Sequence, residues 1–293
     1  MAKTLTIFTP AYNRAYTLHL GYEALLRQTC QDFEWLIIDD GSTDNTRELV
    51  AEWIKENKIP IRYHYQENQG MHGAHNTAYR LITTELNTCI DSDDYMPDDA
   101  VEKIVTFWKK YGSNQVAGII GLDADFQGNI IGTTFTEEQT TLGGFYAQGG
   151  KGDKKMIYRT EIINKYPEYP LFKGEKYVSL GYKYELIDQD YSLLTLNEVL
   201  VKVEYRPDGS SMNMFRQYIK NPQGFAFIRK SSMQLAPTAK RRFMEAIHYI
   251  SSSLILKNKR FLQESPKKLL TLCAIPFGIA LYLFIRFKTR NIQ

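Results

Sequence analysis

The sequence predicts an α/β protein: a mostly parallel sheet flanked by helices, followed by a basic helical extension. Three observations predict it. Apolar runs of strand length alternate with helix-spaced apolar faces over roughly the first 110 residues. Each of the first four runs ends in a polar cluster, as strands do when their carboxyl ends open onto a ligand crevice. Beyond residue 216 the strand signals stop, and Lys and Arg accumulate on helical stretches.

The elements follow in order. Residues 5–9 (LTIFT) form a short apolar run ending at Pro10, a buried strand. Residues 16–28 carry Leu18, Tyr22, Leu25 and Leu26 at helical spacing, with Thr17 as the expected cap. Residues 35–38 are a second buried strand running into Asp39-Asp40-Gly41. Ser42 or Thr43 is the expected cap of a helix whose face is Leu49, Val50, Trp53 and Ile54. Residues 61–65 alternate as a third strand. Asn68-Gln69-Gly70 is a turn before a helix reaching Leu81. Residues 86–90 are a fourth strand that ends in Asp91-Ser92-Asp93-Asp94, and Asp98 or Asp99 opens the helix through Val101, Ile104, Val105 and Trp108. Such alternation implies right-handed parallel crossovers.

After Gly112 the pattern loosens. Residues 116–122 read as one more strand, 143–152 as a flexible glycine-rich stretch, and 198–205 as a strand closed by a turn at Pro207-Asp208-Gly209. The expected organisation is therefore a ligand-binding half over 1–112, a second half over 113–215, and a helical region over 216–293.

Composition narrows the function classes. Hydrophobic residues make up 43% and charged residues 24% of 293, which excludes a wholly disordered chain and a polytopic membrane protein. The net charge of +3 does not point to nucleic acid. Three scattered cysteines, Cys30, Cys89 and Cys273, form neither a disulfide framework nor a zinc motif, and suit a reducing compartment. The N-terminal apolar run is too short for a signal peptide, so a cytosolic location is expected.

The C-terminal region adds a membrane. Residues 269–285 are uncharged, with Lys267 and Lys268 before them and Arg286, Lys288 and Arg290 after. The run is shorter than the ~20 residues of a span and is interrupted by Pro276 and Gly278. A dipping or in-plane segment is expected, with membrane contact over 266–290.

Asp91, Asp93 and Asp94 carry the strongest chemical signal. Three carboxylates in four residues repel one another unless a cation offsets them, and hard oxygen donors suit magnesium or manganese. Asp39 and Asp40 at a neighbouring strand end form a second acidic pair, suited to a base or ribose edge or to a tight turn. No G-x-G-x-x-G, Walker A or G-x-S-x-G sequence is present, which disfavours dinucleotide dehydrogenases, P-loop enzymes and serine hydrolases. Asp91-Ser92-Asp93 is similar to the motif of haloacid-dehalogenase-type phosphatases, but it follows the fourth strand rather than the first.

The series Thr9-Pro10-Ala11-Tyr12-Asn13-Arg14, Ile37-Ile38-Asp39-Asp40-Gly41-Ser42-Thr43-Asp44, Glu67-Asn68-Gln69-Gly70, Asn76 and Ile90-Asp91-Ser92-Asp93-Asp94 resembles glycosyltransferase family 2 in order and spacing. The resemblance implies the Rossmann-like GT-A fold and an inverting transfer from a nucleotide sugar. It implies that Thr9, Pro10, Ala11 and Tyr12 line the nucleobase, partly through backbone, with Arg14 nearby. Asp40 would accept from a uracil ring N–H. Asp91, Ser92 and Asp93 would hold the ribose and the metal, with Asp94 sharing the metal. Asn68, Gly70 and His72 would lie by the diphosphate, His72 standing where relatives carry Lys and cationic only when protonated.

In the second half, Gly174-Glu175-Lys176-Tyr177 resembles the variant in which Glu-Lys-aromatic supplies the base, which makes Glu175 the expected base, with Asp188 and Asp190 as rivals. Residues 152–159 and 205–211 resemble the flanking segments of that subgroup. The expected function is transfer of a hexose from a UDP-sugar to a lipid-linked glycan at the cytoplasmic face of the cell membrane. The competing readings are a metal-dependent phosphatase or nucleotidyltransferase, and a catalytically inactive sugar-nucleotide-binding membrane scaffold.

Overall fold

The computed structural model describes residues 3–204 and 214–290. The expected turn at Pro207-Asp208-Gly209 and the stretch 205–211 lie outside the described residues. The chain divides into two compact units: Met1–Pro167 with Asp190–Glu204, and Glu168–Gln189 with Tyr205–Gln293. The expected division at 112/113 falls inside the first unit, because strands on both sides of it share one sheet.

In the first unit, β1 (Leu5–Ala11), β2 (Phe33–Asp39), β3 (Ile61–Tyr65) and β4 (Leu86–Cys89) alternate with α1 (Ala15–Leu26), α2 (Thr46–Glu56), α3 (Met71–Leu81) and α4 (Ala100–Tyr111). β5 (Gly118–Ala124), β6 (Gln139–Thr140), α5 (Leu142–Ala147), β7 (Lys154–Arg159), α6 (Thr160–Lys165) and β8 (Leu193–Lys202) complete it. The eight strands run in the order β3-β2-β1-β4-β7-β5-β8-β6. β1, β2, β3 and β4 are mutually parallel, β7 is antiparallel to β4 and β5, β5 and β8 are parallel, and β6 is antiparallel to β8.

β1 and β2 are almost wholly buried because helices cover both faces of a parallel sheet. Trp35 of β2 and Trp53 of α2 sandwich this packing with Tyr22 of α1, whose ring stacks on Trp53 at 4.4 Å. Removing a fully buried ring such as Trp35 would cost about 3–5 kcal/mol.

The expected caps are replaced by one residue. Asp44 Oδ1 accepts from Thr46 N at 3.1 Å and Thr46 Oγ1, and its Oδ2 accepts from Ala15 N at 3.1 Å. Asp44 therefore serves the first turns of both α1 and α2. Although burial pulls upward, these donors hold its carboxyl below the ordinary aspartate value. Thr17 is buried and its hydroxyl donates back to Arg14 O, while Ser42 and Thr43 bind Asn13. The glycine-rich stretch is also more ordered than expected: α5 (Leu142–Ala147) takes up its first half, capped by Thr141 Oγ1 accepting from Gly144 N.

The second unit is helical, with α7 (Gly181–Ile187), α8 (Met214–Lys220), α9 (Pro222–Leu235), α10 (Ala239–Ile255), α11 (Phe261–Glu264) and α12 (Lys268–Lys288). Its core joins Met233 of α9, Ala246, Tyr249 and Ile250 of α10, and Ala274 of α12.

Candidate active site

Parallel pairing sets the carboxyl ends of the first strands side by side, with Ala11 opposite Asp39 and Asp39 opposite Tyr65. The loops that follow are then fastened to each other. Asn13, held at φ 53°, donates its N–H to Ser42 Oγ at 2.9 Å and accepts from Thr43 N at 2.7 Å through Oδ1. Asp39 Oδ1 accepts from Ser42 N at 2.8 Å, and its Oδ2 accepts from Tyr63 OH at 2.5 Å.

Asp40 is 3% exposed. Its Oδ1 accepts from Gln66 Nε2 at 2.7 Å and Gln69 N at 2.8 Å, and its Oδ2 from Gly70 N at 2.8 Å. The residue expected to read a nucleobase thus also ties the loop after β2 to the loop after β3. Gly41 makes the approach possible: at φ +85° it sits where a Cβ would stand 2.8 Å from Asn68 N. Asn68 is half-buried, and Gly70 is the residue before α3.

Around β1, the side chains of Thr9 and Ala11 turn inward. Trp35 Nε1 donates to Thr9 Oγ1 at 3.0 Å, and both residues are buried. Pro10 is half-buried, whereas Tyr12 is 51% exposed. Arg14 Nη1 donates to Tyr16 OH, and its guanidinium lies 5.8 Å from that ring. An exposed ring beside a fixed cation suits a planar base and an anionic ligand. His72, expected by the diphosphate, is 1% exposed on α3 and packed inside the fold.

The acidic loop after β4 turns through Asp94 N donating to Asp91 O at 3.1 Å. Asp91 is exposed, Asp93 half-buried, and Ser92 and Asp94 buried. Burial, then the charge of Asp91, pushes the Asp94 carboxyl up to about 8. Two neighbours were not singled out in the sequence. Lys155 of β7 donates to Cys89 O at 2.9 Å, where Asp91, Asp94 and Asp123 bear on its ammonium. Asp123 of β5 is 4% exposed, its Oδ1 meets no protein donor, and burial pushes it up to about 6. The signal for Asp123 was available, since its strand is another apolar run ended by acid. Lys155 was hidden because KKMIYR carries three cations in six residues and so does not read as a strand.

The donor set fits a hard divalent cation: oxygen ligands, and clustered negative charge that the protein alone leaves costly. Among the described residues no group of three acids, histidines or cysteines is already gathered around a point. A magnesium-type site completed by substrate phosphates needs only one or two protein carboxylates.

In the second unit, Glu175 is 9% exposed. Its Oε1 accepts from Gln223 N at 2.9 Å and its Oε2 from Gly224 N at 2.8 Å. Asn221 Oδ1 accepts from Lys176 N at 2.7 Å. The expected base thus caps the N-terminus of α9. Of its rivals, Asp190 accepts from Tyr166 OH at 2.7 Å, and Asp188 is half-buried at the end of α7.

Comparison with known proteins bears on the fold and the family. Chondroitin synthase of Escherichia coli is 35% identical over 127 residues, which is 43% of this chain and 18% of that protein. An uncharacterised glycosyltransferase of Haemophilus influenzae is 33% identical over 103 residues, 35% of this chain and 41% of its own length. The chain thus spans less than half the length of these two relatives. The E. coli UDP-Glc:alpha-D-GlcNAc-diphosphoundecaprenol beta-1,3-glucosyltransferase WfgD is 25% identical over 216 residues, 73% of this chain and 81% of that protein. Among solved structures, S. aureus TarS 1-349 in complex with UDP-GlcNAc superposes with a TM-score of 0.65 at 17% identity, covering 99% of this chain and 92% of that one. That likeness carries the GT-A fold. The family model for Glycosyl transferase family 2 matches residues 6–166. With that match over more than half of its length, the chain belongs to glycosyltransferase family 2.

Proposed function

We propose that the chain is an inverting glycosyltransferase that moves a hexose from a nucleotide sugar, a UDP-sugar first, to a hydroxyl of a lipid-linked glycan in bacterial surface polysaccharide or cell-wall assembly. The observation that carries the reading is the strand-end edge where Asn13, Asp39 and Asp40 hold three loops together and the acidic loop follows the adjoining strand β4. The lipid-linked acceptor is supported by the name of WfgD, which specifies a diphosphoundecaprenol substrate. A cytosolic donor and a lipid-linked acceptor together put the work at the cytoplasmic face of the membrane.

In this reading the base lies against Tyr12, Pro10 and Ala11 and the backbone of Thr9, with Arg14 nearby and Asp40 accepting from the ring. Asn68 and Gly70 border the diphosphate. Asp91 and Ser92 hold the ribose. Asp91, Asp93 and Asp94 would hold manganese or magnesium, which supplies charge stabilisation for the departing diphosphate. Glu175 takes the proton from the acceptor hydroxyl as that oxygen attacks the anomeric carbon opposite the leaving group. One C–O bond forms, one breaks, and no covalent sugar–enzyme species arises.

Calorimetric titration with UDP, with and without manganese, tests the reading. The expected result is manganese-dependent binding that Asp93→Asn loses. Unchanged affinity in Asp93→Asn would remove the metal role, and no binding across a panel of nucleotides would overturn the whole reading. The inactive-scaffold reading is favoured by one observation, the engagement of both Glu175 oxygens in the α9 cap. It requires nucleotide-sugar binding without turnover on any lipid-linked acceptor.

A further inference from the structure

The helix α12 divides into two faces. Thr271, Ala274, Gly278 and Ile285 are buried, and this row packs along α10. Gly278 makes the contact close, since a Cβ there would stand 2.5 Å from Ile250 Cβ. On the opposite face, Leu269 is 80% exposed, Leu272 52%, Phe277 56%, Leu283 59% and Phe287 71%. That stripe runs nearly the whole helix, about 27 Å at 1.5 Å per residue. Phe215 of α8, itself exposed, continues it by an edge contact with Phe284 at 5.8 Å. An unbroken exposed apolar surface of this length marks a docking face.

Charge names the occupant. Lys267, Lys268, Arg286, Lys288 and Arg290 bracket the stripe, and no Asp or Glu occurs from residue 265 to 293. An apolar stripe with cations at both ends and no acids complements an anionic lipid surface. It would oppose the same stripe of a second copy, where cations would face cations.

The packing also decides the orientation. α12 is long and apolar enough to cross a membrane, with a mean hydropathy of 2.0. Crossing would carry its partner α10 into hydrocarbon, and α10 bears Lys240, Arg241, Arg242 and Glu245. Pro276, at mid-helix and outward-facing, cannot donate to the carbonyl of Leu272. In the interface plane water serves that outward carbonyl directly, without the neighbouring helices or ordered waters that serve it in a spanning bundle.

We infer that α12 lies in the plane of an anionic membrane, its outward stripe at the headgroup–acyl boundary and its inward row clamped on α10. The inference deepens the lipid-linked reading above and rests on it for its purpose, but its test is separate. The full chain is floated with vesicles of phosphatidylcholine alone and with vesicles containing phosphatidylglycerol. The expected result is about tenfold or more recovery on the anionic vesicles. Leu272→Glu with Phe277→Glu and Leu283→Glu, all exposed, should abolish flotation while leaving thermal unfolding and UDP binding unchanged.

Orientation is read from depth-dependent quenching of a fluorophore on cysteines placed in turn at Leu272, Ile279 and Leu283, in a chain whose three native cysteines are replaced and whose melting is unchanged. Equal shallow depths support the in-plane helix. Greatest depth at Ile279 means a span and overturns it. A chain that ignores both vesicle types and sediments as a dimer, separating in the triple variant, overturns it in favour of self-association. A chain that remains a monomer and ignores both vesicle types overturns it outright. If flotation fails while UDP binding persists, this inference falls and the proposed activity stands.

Discussion

The ammonium of Lys155 donates a 2.9 Å hydrogen bond to the carbonyl oxygen of Cys89, the last residue of β4 and two positions before Asp91. An antiparallel strand thereby delivers a cation beneath the acidic loop, in a region where burial alone would disfavour the charge. Asp123, then Asp91, are the carboxylates that outweigh that penalty and keep it charged.

Lys155→Met tests what that cation does. A divalent ion at the acidic loop is drawn by the aspartates and opposed by Lys155. Removing the ammonium should therefore tighten manganese binding in the absence of nucleotide, on the order of tenfold. Electron paramagnetic titration of free manganese measures this. If Lys155 only braced the loop, the variant would bind the ion more weakly.

Asp40→Asn tests the loop joint. The substituted amide would point a donor at a donor wherever it faces Gln69 N or Gly70 N. The expected cost is about 1–3 kcal/mol in denaturant unfolding, with loss of UDP affinity. Gln66→Ala removes one donor and leaves the two backbone bonds, so it should cost about 1 kcal/mol and keep most affinity. Equal losses in the two variants would mean that the backbone bonds of Asp40 carry no special weight.

This joint shows what the sequence made legible. The parallel strands and their polar ends were readable because a strand buried on both faces leaves a nearly continuous apolar run, as in β2. That Asp40 spends its carboxylate on Gln66, Gln69 and Gly70 was not readable, because those partners lie 26 to 30 positions away and meet it only through sheet register. The Asp44 double cap is the same case, since one of its partners, Ala15, begins a different helix, 29 positions earlier. β7 escaped because its Lys154 and Lys155 face backbone carbonyls rather than solvent, against the ordinary habit of lysine.

Glu175 has two duties to separate. As a cap it should cost about 0.5–2 kcal/mol when replaced by Ala, and less by Gln, which keeps one acceptor oxygen for α9. As a base it should lose turnover equally in both. Single-turnover rates set beside unfolding midpoints measure this. Turnover that follows stability across Gln and Ala would leave Glu175 as a cap and return the base to Asp188 or Asp190.

His248 of α10 should make stability acid-sensitive. Burial, then the nearby Arg229 charge, lowers its pKa from 6.5 to about 4, while Glu245 opposes the shift. The ring of Tyr218 faces it at 6.1 Å. Above pH 6.5 neither the folded nor the unfolded chain protonates this ring, and it has no pH effect. Between pH 6.5 and 4 the unfolded chain binds a proton that the folded chain refuses, so stability falls as pH falls. The loss is at most about 3 kcal/mol, complete once the folded ring also protonates near pH 4. Other carboxylates titrate in the same window, so the quantity to measure is the difference between the wild-type chain and His248→Gln. Urea unfolding from pH 7 to 4.5 should show the wild type losing ground steadily to the variant. Parallel curves would mean that the ring takes up its proton equally in both states, and that the tight packing around it yields without cost.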